Sequence, residues 1–179
     1  MAEQLYNKKS KDDLIRDLDS EDFDRLTLSF YKYIEIDDPE NLRDQMYRDL
    51  STMQILGRVY IAMEGVNAQI SIPKQNKDDF LGYMGSLDEL SGAYIKEAVE
   101  DGESFYKLKI KVKDEIVAYG LDKSEYDMRN VGKHLSPKEF NRAIEDPNCM
   151  VVDIRNHYEN EVGHFKDAVL PDVDRSKEL

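Results

Sequence analysis

Gly57-Arg58-Val59-Tyr60-Ile61-Ala62-Met63-Glu64-Gly65-Val66-Asn67-Ala68-Gln69-Ile70-Ser71-Ile72-Pro73 is the stretch that decides the fold. Arg58 to Met63 and Val66 to Ile72 are rich in β-branched residues and alternate in polarity, which reads as two strands. Glu64-Gly65 is a turn signal between them, and Pro73 stops the second strand, so the pair is expected to form a hairpin. Moving towards the N-terminus, Asp37-Asp38-Pro39 opens a helix with proline in its first turn. Leu42, Met46, Leu50 and Met53 then follow at spacings of four, four and three, one apolar stripe. Before that helix, Leu26 to Ile34 carries aromatic and β-branched residues in alternation and reads as a further strand. Residues 1–25 are polar and form an extension, within which Ser10 is placed to cap a short helix through Leu14, Ile15 and Leu18.

On the C-terminal side of the hairpin, Asn76 is positioned to cap a helix whose Phe80, Leu81, Met84 and Leu87 share a face. A strand over Ala93 to Val99, a hairpin turn at Asp101-Gly102 and a long strand over Phe105 to Val112 are expected next. The element order is β-α-β-β-α-β, the ferredoxin-like split arrangement, with the second helix feeding a hairpin. This predicts an α+β domain at residues 26–113, an antiparallel sheet covered by two helices. Residues 114–133 hold turn formers and charge with little periodicity, a candidate linker. Residues 134–179 open a second domain. Ser136-Pro137-Lys138-Glu139 is a capping box with proline at the first helical position, and Phe140 and Ile144 supply the apolar face. Asp146-Pro147-Asn148 turns the chain into Met150-Val151-Val152-Asp153-Ile154, expected to be a buried parallel strand. Helix, turn and buried strand begin an α/β domain, and the roughly 45 residues available are too few to finish one.

The chain has 179 residues, 35% of them charged, and a formal net charge of −13. That charge argues against a generic nucleic-acid coat, so any phosphate-binding surface has to be a local patch. No run of about 18 apolar residues exists to cross a bilayer. The N-terminus lacks the basic and apolar regions of a signal peptide, so a cytoplasmic protein is expected. Cys149 is the only cysteine, which excludes an intrachain disulfide and a cysteine-based zinc cluster. It precedes the expected buried strand and reads as a core or near-core thiol. Three histidines without ligand spacing predict no metal site. No glycine-rich phosphate loop is present, and the residues assign no cofactor.

Local basic character is concentrated in Phe105-Tyr106-Lys107-Leu108-Lys109-Ile110-Lys111-Val112-Lys113. Strand alternation places the lysines on one face and Tyr106, Leu108, Ile110 and Val112 on the other. Lys107, Lys109 and Lys111 are therefore candidate contacts for an anionic strand. The competing reading is that they solvate the sheet or protect its edge. Arg58, Tyr31 and Tyr33 are placed to add phosphate or stacking contacts. Glu64 and Asn67 flank the tight turn and are candidate substrate contacts, although Asn at a turn commonly bonds its own backbone.

In the second domain Asp153, Arg155, Tyr158 and Glu159 precede Gly163-His164-Phe165-Lys166-Asp167-Ala168 and Pro171. This pattern resembles a rhodanese domain, with Asp167 where those domains commonly carry glycine. Asp153, Arg155 and His164 are expected to organise a loop through charge-assisted hydrogen bonds, without themselves reacting. Taken with Ser29-Phe30-Tyr31-Lys32-Tyr33 and the Gly57 to Ser71 block, the chain from Leu26 to Pro171 resembles the bacterial rhodanese-containing tRNA uridine hydroxylase family. The resemblance implies oxygen-dependent hydroxylation of the wobble uridine of tRNA to 5-hydroxyuridine, with tRNA as partner. It also implies a catalytic cysteine in a later rhodanese loop, so no catalytic residue is expected in this chain. Two other readings remain open on the residues alone: a rhodanese-type sulfurtransferase, and a non-catalytic module that binds RNA or protein.

Overall fold

A computed structural model describes residues 5–98, 105–116 and 132–172. The chain divides into two compact units, Met1–Ile116 and Val117–Leu179. The expected linker at 114–133 lies mostly outside the described residues.

In the first unit the N-terminal helix α1 (Lys11–Asp19) is capped as expected, the Ser10 side chain accepting the Asp13 N–H. Strand β1 (Arg25–Tyr33) leads to helix α2 (Pro39–Thr52), where the Asp38 carboxylate accepts the Asn41 N–H and proline sits at the first turn. Strands β2 (Leu56–Ala62) and β3 (Gly65–Pro73) form the expected hairpin. A 3-10 turn (Lys74–Asn76), helix α3 (Lys77–Ser86), strand β4 (Tyr94–Glu97) and strand β5 (Leu108–Val112) complete the unit.

The sheet order is β4-β1-β3-β2-β5. The first four strands are antiparallel neighbours in the ferredoxin-like order, whereas β5 runs parallel to β2. This corrects two expectations. The sheet is mixed, not wholly antiparallel. β4 and β5 do not form a hairpin, because they occupy opposite edges of the sheet. Alternation fixes which face a residue occupies but says nothing of which strand is its neighbour. Asp101-Gly102 lies outside the described residues. The last strand is also shorter than expected, starting at Leu108.

One face of the sheet carries the core. Leu28 and Phe30 of β1, Val59 and Ile61 of β2, Val66, Ala68, Ile70 and Ile72 of β3, and Leu108 and Ile110 of β5 are buried together with Leu42, Met46 and Leu50 of α2 and Phe80 and Met84 of α3. Phe30 and Phe80 meet with ring centroids 6.1 Å apart. Burying this much aliphatic and aromatic surface is the dominant driving force for the unit. Two sequence details of α3 differ from expectation. Leu81 is exposed, since α3 buries only Phe80 and Met84 fully and keeps Leu87 half-buried. The Asn76 side chain makes no cap; its Nδ2 donates to the Met53 carbonyl at 2.9 Å and ties the end of α2 to the start of α3.

Two glycines are required by the hairpin. Gly57 has φ +134°, and a Cβ there would lie 2.3 Å from the Gln69 carbonyl oxygen. Gly65 has φ +145°, with the Lys32 carbonyl oxygen 2.1 Å from the equivalent point. Any side chain at either place collides with the neighbouring strand. Arg25 fastens the opposite end of the sheet. It is buried, pairs with Glu21 at 2.6 Å, and donates to the carbonyls of Gln54 and Ser71.

In the second unit α4 (Pro137–Ala143) starts on the expected capping box, Ser136 and Glu139 each accepting the other's backbone N–H. Phe140 packs on Phe165 at 4.9 Å between centroids. Helix α5 (His157–Val162) follows the Asp153 loop. The expected buried strand at Met150–Ile154 is reduced to one parallel bridge, Val152 to Val169, with Val152 48% and Ile154 53% exposed. A parallel strand becomes buried only when neighbouring strands and helices cover both faces, and no described strand flanks this one beyond the bridge. Cys149 is likewise exposed, not a core thiol, because it follows the Asp146 turn, to whose carbonyl its N–H donates at 2.9 Å.

Candidate nucleic-acid interface on the uncovered sheet face

Helices α2 and α3 cover one face of the five-stranded sheet, and the strand registers define what the other face presents. Ser29 lies opposite both Lys96 and Gln69, Gln69 opposite Arg58, and Arg58 opposite Lys109. These give one row across all five strands: Lys96, Ser29, Gln69, Arg58, Lys109. Two residues further along, Tyr31 lies opposite Tyr94 and Asn67, Asn67 opposite Tyr60, and Tyr60 opposite Lys111. The second row is therefore Tyr94, Tyr31, Asn67, Tyr60, Lys111. Laterally paired residues share a face, so both rows point the same way, about 7 Å apart along the strands. Arg58, Gln69, Lys96, Lys109 and Lys111 are exposed, as are Tyr31 at 51% and Tyr94 at 70%.

Charge on this face is one-sided. Elsewhere in the first unit several basic side chains are neutralised: Lys9 by Asp17, Arg16 by Asp13, Arg25 by Glu21, Arg43 by Glu40 and Asp44, Lys77 by Glu97. Among the described residues, Arg58, Lys96, Lys107, Lys109, Lys111 and Lys113 form no ion pair. Four of them approach aromatic rings instead. Arg58 lies 5.9 Å from the Phe105 centroid, Lys96 6.0 Å from Tyr94, Lys107 5.4 Å from Tyr106 and Lys113 5.7 Å from Tyr60. Such cation–π contacts are weak when exposed and leave the ammonium free to meet an anion.

Two clefts flank Phe105. One of about 440 Å³ is lined in part by Ser29, Gln69, Lys96 and Phe105. The other, about 250 Å³, is lined by Gly57, Arg58, Tyr60, Phe105, Tyr106, Lys107 and Lys109.

Of the candidates named from sequence, Arg58, Asn67, Lys109 and Lys111 thus share one face, and Lys107 borders the smaller cleft just before β5. Glu64 stands apart at the hairpin tip. Its Oε1 accepts the Ile116 N–H at 2.8 Å, while the Met63 and Glu64 carbonyls accept the N–H groups of Ile36 and Ile34. Tyr33 meets Tyr31 edge-on at 6.3 Å. Sequence reading missed Tyr60, Gln69, Tyr94 and Lys96. The signal was there in the i, i+2 spacing of Arg58 with Tyr60, and of Tyr94 with Lys96, each pair bound to one face of its strand.

In the second unit Asp153 receives Arg155 Nε at 2.9 Å and Nη2 at 2.6 Å on its two oxygens, and the Arg155 N–H at 3.2 Å. Arg155 Nη2 also donates to the Gly163 carbonyl at 2.7 Å, closing the loop that carries α5. These bonds, led by the Arg155 side chain, hold the Asp153 carboxyl below its ordinary range, and Asp153 in turn raises Arg155. His164 Nδ1 lies 3.0 Å from the Asn160 carbonyl oxygen and not on Asp153 or Arg155. The trio is therefore a bidentate ion pair with a nearby histidine. Among the described residues no group of three or more His, Cys, Asp or Glu is placed to hold a metal ion, and no helix is long and apolar enough to cross a membrane.

Comparison with known proteins agrees with this architecture. The UPF0176 acylphosphatase like domain matches residues 25–116. A tRNA uridine(34) hydroxylase of Leptospira interrogans (serogroup Icterohaemorrhagiae serovar Lai, strain 56601) is 48% identical over 175 residues, covering 97% of this chain and 48% of the relative. Proteins of the same name from Escherichia coli strains SMS-3-5 / SECEC and K12 / DH10B are 43% and 42% identical over 176 residues, 97% of this chain and 50% of theirs. The chain spans about half the length of the curated relatives it matches. With the match running from the first residue of β1 to the Ile116 N–H that closes on Glu64, the chain belongs to the UPF0176 family.

Proposed function

We propose that the chain is the RNA-recognition half of a tRNA uridine hydroxylase, and that the uncovered sheet face receives the tRNA. The observation that carries this reading is the two-row face. Six unpaired cations and three tyrosines collect on or beside one side of a sheet in a chain whose net charge is −13. Concentrated cations favour phosphate, and tyrosines among them favour bases over a purely ionic partner. The names of the relatives supply the substrate: tRNA, at uridine 34. In this reading the Asp153–Arg155 pair supports a rhodanese-type loop, and the oxygen-dependent hydroxylation of the wobble uridine to 5-hydroxyuridine needs a cysteine outside this chain. A cytoplasmic location follows from the substrate.

Deleting the gene and measuring 5-hydroxyuridine in total tRNA by mass spectrometry tests the proposal. Loss of the modified nucleoside, restored by the intact gene, is expected. Unchanged 5-hydroxyuridine combined with thiosulfate-to-cyanide sulfur transfer by the purified full-length protein would instead establish a sulfurtransferase.

A further inference from the structure

We infer that the uncovered face is a stacking platform for a short single strand of RNA, with Tyr94, Tyr31 and Tyr60 as base seats and Arg58, Lys96 and Lys109 as phosphate contacts. The inference rests on the RNA reading above and adds to it the conformation of the nucleic acid and the residues that hold it.

The geometry points to a single strand for three reasons. First, the aromatic row crosses the strands and does not run along one. Tyr94 and Tyr31 are direct neighbours, and Tyr60 is two strands from Tyr31, about 10 Å away at the usual spacing. Bases in a duplex are stacked on each other and hidden from such a surface, whereas unstacked bases can lie on separate rings. Second, Asn67 sits between Tyr31 and Tyr60 in the same row. Its amide has both donors and an acceptor, the complement of a base edge held between two seats. Third, the cationic row runs beside the aromatic row about 7 Å away, close to the separation of a base and its own phosphate.

Edge protection does not account for this arrangement. It explains Lys109 and Lys111 on the edge strand β5, and Lys96 on the edge strand β4. It does not explain Arg58, on an interior strand and directly beside Lys109. Like charges set opposite one another on a sheet repel, and this pair has no carboxylate to relieve it. An anion lying across both relieves it. An acidic peptide would satisfy the cations but leaves the exposed Tyr31 and Tyr94 and the half-buried Tyr60 unused, so RNA is the better fit.

The test uses the 179-residue chain with a fluorescein-labelled eight-nucleotide single-stranded RNA, the same sequence as a duplex, and a poly-glutamate peptide as competitor. The single strand is expected to bind more tightly than the duplex. Tyr31→Ala, Tyr60→Ala and Tyr94→Ala are each expected to weaken it by at least about fivefold, the loss of one stacked base, while the Phe variants retain affinity. Circular dichroism and thermal unfolding identify any Ala variant that is misfolded, for which Asn67→Ala, expected to weaken the single strand and not the duplex, then carries the test. Equal binding of duplex and single strand, Tyr→Ala variants that bind as the parent does, or displacement by poly-glutamate at equal charge would each overturn the platform. The two claims fail separately. If the Tyr variants lose strand binding but support normal 5-hydroxyuridine in tRNA when placed in the full-length protein, the platform stands and its role in hydroxylation falls. If charge reversal on the face abolishes 5-hydroxyuridine while Tyr→Ala leaves strand binding intact, the platform falls and the hydroxylase reading stands.

Discussion

Arg58 and Lys109 stand directly opposite each other on the parallel strands β2 and β5, both exposed, and no carboxylate pairs with either among the described residues. A folded protein tolerates such a juxtaposition only at some cost, of the order of a few tenths of a kcal/mol. Removing one charge is therefore expected to leave stability unchanged or slightly raised while weakening RNA binding. For Lys109→Gln the slope of log affinity against log salt should fall by about one unit, the signature of one lost phosphate contact. Titrations of the RNA at several salt concentrations check this. An unchanged slope would mean that Lys109 serves the edge alone.

Gly65→Ala is expected to destabilise the first unit by about 3 kcal/mol or more, because it combines strained φ with a backbone collision. The obstacle is the Lys32 carbonyl, 2.1 Å from the new methyl position, which belongs to a paired strand and cannot rotate away. Gly82→Ala is the control, since nothing lies within 4 Å of its methyl position. Urea unfolding of the two variants should separate them clearly.

Replacing Arg25 with Met should cost about 3 kcal/mol, the usual scale for removing one partner of a buried pair. The guanidinium side chain is 5% exposed and the Glu21 carboxylate 21% exposed. Loss of the Arg leaves that carboxylate and the carbonyls of Gln54 and Ser71 without their donor. The double variant Arg25→Met with Glu21→Gln should recover part of the loss, as measured by chemical denaturation.

Acid should loosen the second unit at two carboxyls. Asp153 is held below its ordinary value of 3.8 by the Arg155 hydrogen bonds. A carboxyl lowered on folding stabilises the fold above its unfolded pKa, and that contribution is lost as pH falls through the folded value. The Asp153–Arg155 frame should thus persist at neutral pH and weaken only below pH 3.8. Glu139 is drawn down to about 2, chiefly by its hydrogen bond with Lys133 and then by those from Ser136. The α4 capping box should likewise hold at neutral pH and be lost as pH falls through the folded value of Glu139. Carbon-13 titration of the two carboxyls checks both depressions, and an ordinary midpoint of 4.5 for Glu139 would contradict the second.

Local elements were legible in the sequence where period and punctuation agreed. The Asp38-Pro39 cap, the Leu42–Met46–Leu50 stripe and the Glu64-Gly65 turn each specify backbone geometry through nearby residues, and each appears as expected. Strand neighbours were not legible. Lys96 and Tyr94 read as ordinary strand residues until β4 is placed beside β1, because lateral pairing is set by the fold as a whole. The position of β5 was misjudged for the same reason. Residues at Met150–Ile154 carry the composition of a buried strand, but composition reports what a segment can bury and not whether its neighbours are at hand. The Asp153–Arg155 pair was legible because two residues apart is close enough for one side chain to reach the other directly.

The most direct test of the uncovered face as the tRNA surface is complementation of a gene deletion by full-length protein carrying Arg58→Glu, Lys109→Glu and Lys111→Glu together. The three side chains are exposed, so normal protein abundance is expected, to be verified by immunoblot. 5-Hydroxyuridine in total tRNA should fall to the level of the deletion, by tenfold or more. Restoration of the nucleoside to the level given by the unsubstituted protein, at equal abundance, would contradict the account.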